Sequence, residues 1–129
     1  MSNILFNYAD NTLKLIDPKG LNPKKQKFPL LYDLAKLSHS LLGNYDFILS
    51  DQFNINPLEI YNTEIKLDNK YVELITLLGR IINVDFKTIR FLESILFITM
   101  IPLHKESQKN ILNFLSNFIL INNELDKTI

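Results

Sequence analysis

The chain has 129 residues, 47% hydrophobic and 22% charged, with 14 basic and 14 acidic side chains that cancel formally at neutral pH. That length suits one domain of a soluble globular protein, and zero net charge provides no general attraction to nucleic acid or to an anionic membrane. Cysteine is absent, which excludes disulfides, thiolate nucleophiles and zinc-thiolate sites and fits a reducing cytoplasm.

Residues 3–20 contain two apolar, β-prone runs, 4–9 and 12–16, around Asp10 and Asn11, which tolerate a tight backbone. The pattern predicts a β-hairpin with its turn at Asp10, midway between Asn3 and Asp17. Such a turn would set these two oxygen-bearing side chains opposite each other on one face, Cβ atoms about 4.5–5.5 Å apart. An amide and a carboxylate at the open end of a hairpin suit a hard cation such as Mg²⁺, which takes its remaining oxygens from water and substrate phosphates. Asn and Asp also flank hairpins routinely, so the pair by itself is a weak signal and reads first as ordinary hairpin structure.

Pro18 cannot donate a ladder hydrogen bond, and with Gly20 it ends the second strand. Residues 21–29 form a basic, exposed loop in which Lys24, Lys25 and Lys27 follow Lys19. This is either a solvated linker or a set of contacts to a phosphate or acidic substrate. Over 30–42, apolar side chains recur at helical spacing with Asp33, Lys36 and Ser40 opposite, and Gly43 is expected to close this helix in the left-handed conformation. Residues 44–67 read as irregular chain with one or two short strands.

Residues 68–129 predict three helices. Asp68 or Asn69 caps the first, with Tyr71, Val72, Leu74, Ile75, Leu78 and Ile82 inward. Asp85 caps the second, with Ile89, Leu92, Ile95, Leu96 and Met100 inward, ending before Pro102. The third runs from Glu106 or Ser107 to Ile121 and buries Ile111, Leu112, Leu115, Phe118 and Ile119, with Phe114 adjoining. The longest apolar run, 95–103, is broken by Thr99 and Pro102 and is too short for the roughly 20 residues of a membrane span. The opening residues lack the basic start and longer apolar core of a signal peptide.

Most catalytic patterns are missing. The three glycines stand far apart, so there is no phosphate-cradling loop, and no Gly-x-Ser-x-Gly elbow or His-Glu-x-x-His pattern occurs. His39, inside the first helix, and His104, at a helix end, read as structural histidines.

Asn3-Ile4-Leu5 followed across the hairpin by Asp17 resembles the segment of the aminoglycoside phosphotransferase and choline kinase-like superfamily between the catalytic-loop asparagine and the metal-binding aspartate. The runs Asp17-Pro18-Lys19-Gly20, Tyr32-Asp33-Leu34-Ala35-Lys36-Leu37 and Met100-Ile101-Pro102-Leu103-His104 are similar to a bacterial branch associated with capsular or other surface-polysaccharide loci. The resemblance covers nearly the whole chain. It implies the C-lobe of a protein-kinase-like fold, with Asn3 on one Mg²⁺, Asp17 bridging Mg²⁺ to the β- and γ-phosphates of ATP, and Lys19 and Asp33 supporting the loop or contacting substrate. Catalysis of this kind rests on positioning and charge neutralisation, plus an aspartate that orients the attacking hydroxyl. In the family that aspartate lies in a His-Gly-Asp motif just ahead of the asparagine, which here would fall before Met1, together with the ATP-binding N-lobe. Pro29 stands roughly where the family carries an acidic residue.

The expected fold is α+β and mostly helical, a single partial domain with the N-terminal hairpin packed on a cluster of about four helices. The expected function is that of the C-terminal portion of an ATP-dependent small-molecule phosphotransferase, cytoplasmic and inactive alone. Its partner would be an upstream fragment carrying the N-lobe, or a second copy of the chain. The alternatives are a non-catalytic interaction module or remnant that binds a partner through exposed apolar surface, and an unrelated helical domain with a structural hairpin. Neither nucleic acid nor membrane is expected as a partner.

Overall fold

A computed structural model of the chain describes residues 4–15 and 29–127. Strands β1 (Ile4–Asn7) and β2 (Thr12–Leu15) form an antiparallel hairpin, followed by five helices: α1 (Leu30–Leu41), α2 (Tyr45–Leu49), α3 (Asn69–Ile81), α4 (Phe86–Met100) and α5 (Gln108–Asp126). Short 3₁₀ turns occupy Pro57–Asn62 and Ile101–Leu103. The fold is therefore α+β and mostly helical with an N-terminal hairpin, in line with the sequence.

The hairpin departs from expectation in register and in packing. Leu5 pairs with Lys14, Phe6 with Leu13 and Asn7 with Thr12. The turn spans Tyr8 to Asn11, with Asn11 at φ 54° and the Asp10 carboxylate accepting from the Thr12 amide and hydroxyl. A turn centred on Asp10 would have set Leu5 against Leu15, so the ladder is slipped by one residue from the pairing that opposes Asn3 to Asp17. Among the described residues the two strands contact only each other, and the side chains from Leu5 to Lys14 are all exposed. The expected packing of the hairpin on the helices is absent from this part of the structure.

Caps explain where the later helices begin. Asp68 accepts from the Lys70 amide, Asp85 from the Thr88 amide and hydroxyl, and Ser107 from the Asn110 amide, each satisfying a donor of the first turn. Helix α4 ends ahead of Pro102, as its sequence demands.

The segment 44–67 holds α2 and a 3₁₀ turn instead of strands. Its apolar residues are spaced to reach the helical core: Ile48 and Ile60 are buried, and Phe53 and Ile65 pack on the core from either side of the turn. Asn113 of α5 holds this segment down. Its side-chain oxygen accepts from the Ile55 amide at 2.9 Å, and its nitrogen donates to Asn54 Oδ1 at 3.3 Å.

Helix α4 joins two cores. Its Phe97 packs with Ile48, Phe114, Ile121 and Leu125, whereas its Ile89 packs with Leu34, Leu42 and Ile75. The buried face of α5 consists of Asn113, Phe114, Ser116, Asn117, Leu120, Ile121 and Leu125. It is rotated from the expected stripe, and Leu112 and Leu115 are exposed.

Gly43 does not supply the left-handed turn after α1; Asn44 does, at φ 56°. Glycine serves this fold by its size. A Cβ at Gly79 would lie 2.6 Å from the Val84 carbonyl oxygen and 2.8 Å from Ile89 Cδ1. Gly79→Ala should lower the unfolding free energy by about 1–3 kcal/mol in urea denaturation through overpacking, although alanine is the better helix former. An unchanged or raised midpoint would show that the α3–α4 corner yields freely.

Candidate functional site

Of the four residues singled out by sequence, Asn3, Asp17 and Lys19 lie outside the described residues. Asp33 is exposed in the first turn of α1, where its charge favours the helix dipole.

The densest polar chemistry lies instead where α1, α4 and α5 meet. Arg90 and Glu93, one helical turn apart on α4, are both fully buried, and Arg90 Nη1 donates to Glu93 Oε1 at 2.6 Å. Arg90 Nη2 donates to Glu124 Oε2 on α5 at 2.9 Å, and Ser38 Oγ on α1 donates to Glu93 Oε2. Burial works against the Arg90 charge, but Glu93 and Glu124 outweigh it and hold its pKa above the ordinary range. For Glu93 burial dominates and pushes the carboxyl pKa up, against the opposing pull of Arg90 and the Ser38 hydroxyl.

Gly43 lets this cluster close. A Cβ there would lie 2.6 Å from Glu93 Oε1 and 2.8 Å from the His39 carbonyl oxygen. Sequence reasoning passed over Arg90 and Glu93 because charged residues on a helix ordinarily face water. Their i, i+3 spacing on the apolar side of α4, level with Ile89 and Phe97, was the available signal.

Beside the cluster lies an aromatic group. His39 is 1% exposed, its ring centroid 4.1 Å from that of Phe97 and 4.4 Å from that of Tyr45, and its Nε2 has no hydrogen-bond partner. Burial, assisted by Lys36 and opposed by Asp46, lowers its pKa to about 3. Tyr45 Oη lies 3.4 Å from His104 Nε2, and His104 Nδ1 lies 3.6 Å from Glu106 Oε1. Burial and the nearby Asp46 raise the Tyr45 pKa and keep it a neutral phenol, a proton donor rather than a nucleophile.

An open depression of about 380 Å³ lies elsewhere, where Asp85 and Thr88 of α4 face Asn122 and Asp126 of α5, and the Asp85 carboxylate is engaged in capping α4. No group of three or more His, Asp or Glu side chains is placed to hold a metal ion among the described residues. No described helix is long and apolar enough to cross a membrane. The described polar clusters thus tie helices together. Comparison with family models, curated proteins and solved structures gives no match for the chain.

Two outcomes test this description. Arg90→Met leaves Glu93 buried without its cation and should cost about 3–5 kcal/mol in chemical denaturation, whereas Arg90→Met with Glu93→Leu should recover most of the loss. Equal losses in both would mean that packing, not the uncompensated charge, is responsible.

His39 gains a proton below pH 6.5 in the unfolded chain and only near pH 3 in the folded one. Its contribution is therefore complete above pH 6.5 and falls as pH drops, by about 1.4 kcal/mol per pH unit between these values. Glu93, its pKa raised on folding, acts with the opposite sign. Comparison of wild type with His39→Phe isolates the histidine: the stability of the wild type relative to the variant should fall steadily from pH 6.5 to 4. A constant difference would contradict the burial of a neutral imidazole.

Proposed function

We propose that the chain is the metal-holding, C-terminal part of an ATP-dependent small-molecule phosphotransferase of the aminoglycoside phosphotransferase and choline kinase-like type. The reading includes a cytoplasmic setting, which the absence of cysteine fits, and a role in capsule or surface-polysaccharide synthesis, which rests on the sequence resemblance. The observation that carries it is the β1–β2 ladder, which occupies the sequence between Asn3 and Asp17 where such enzymes have a hairpin. The α1 helix bearing Tyr32, Asp33, Leu34 and Ala35, and the stop of α4 before Pro102, support it.

In this reading Asn3 and Asp17 hold Mg²⁺ against the ATP phosphates, and the ion neutralises charge that develops on the transferred phosphoryl group. A nucleotide clamp and a hydroxyl-orienting aspartate each contribute further powers of ten in such chemistry. Coexpression with the region encoded upstream should give a stable complex with Mg²⁺-dependent ATPase or phosphotransferase activity. Asp17→Ala should lower that activity by about 10²-fold or more. Failure of the two parts to associate would sink the reading.

A second reading, a non-catalytic interaction module, is favoured by one specific observation. Leu5, Phe6, Tyr8 and Leu13 are all exposed on a hairpin that contacts none of the described helices. Such a surface in water is an association site, and a two-stranded hairpin is barely stable uncovered. The isolated chain should then self-associate in light scattering, and Phe6→Ser with Leu13→Ser should return it to a monomer. A wild-type chain that is already monodisperse, with a sharp cooperative melt, would count against this reading.

A further inference from the structure

We draw no further inference here: the strongest candidate, the exposed apolar face of the β1–β2 hairpin around Phe6 and Leu13, carries none because nothing in the structure shows what covers it.

Discussion

The helical body depends on one ion pair that water does not reach. Arg90 and Glu93 sit on the same helix, so their attraction alone would not join anything. What makes them organising groups is the remainder of their hydrogen-bonding capacity: Ser38 completes Glu93 from α1, and Glu124 engages Arg90 from α5. Removing a charge from water costs several kcal/mol, and only well-placed partners offset it. Helices α1 and α5 can therefore approach α4 in few arrangements. Apolar contact alone would permit sliding, whereas a buried charge rejects any displacement that strips it of a partner.

The two hydrophobic cores lie on either side of this constraint. One is built by α1, α3 and the start of α4, the other by α2, α5 and the end of α4. The long segment between α2 and α3 crosses the second core and is anchored through Asn113, whose side chain accepts from the Ile55 amide and donates to the Asn54 side-chain oxygen. The hairpin lies apart from both cores among the described residues. Rigidity and candidate chemistry are thus divided along the chain: the constrained groups are in the helices, and the residues on which the phosphotransfer reading rests flank the hairpin.

Much of the helical framework was legible in the sequence, because Asp68, Asp85, Ser107 and Pro102 act locally and a cap works much the same way in any fold. Burial was legible only where apolar periodicity reports it. Ile75, Ile89 and Leu96 followed the rule, whereas the inward turn of Asn113, Ser116 and Asn117 rotated the buried face of α5 from the expected one. Asn113 is buried there because it serves the Ile55 amide, 58 residues away in sequence, a demand that no local window contains. Segment 44–67 is irregular, as its sequence predicts, but holds α2 and a 3₁₀ turn where short strands were expected, for a related reason: its apolar positions answer to the core beneath them, not to a neighbouring strand. The hairpin was legible as an element, but its register depends on the four-residue turn, which hydrophobic alternation does not specify. Of the candidate site, the sequence pointed to Asn3 and Asp17; for the Ser38, Arg90, Glu93 and Glu124 cluster, whose members come from three separated helices, it offered only the i, i+3 spacing of Arg90 and Glu93 on the apolar side of α4.

The corner after α1 separates two roles often merged in glycine. Asn44 makes the left-handed bend, while Gly43 has an ordinary backbone and merely leaves room for a carboxylate oxygen. Exchanging the two residues would give Asn-Gly, a stronger turn-forming pair by composition, and would place the bend on the residue best suited to it. It would also drive an asparagine side chain into the buried ionic centre. At this corner the conformational preference of the chain and the space available to it favour opposite orders of the same two residues, and the space decides.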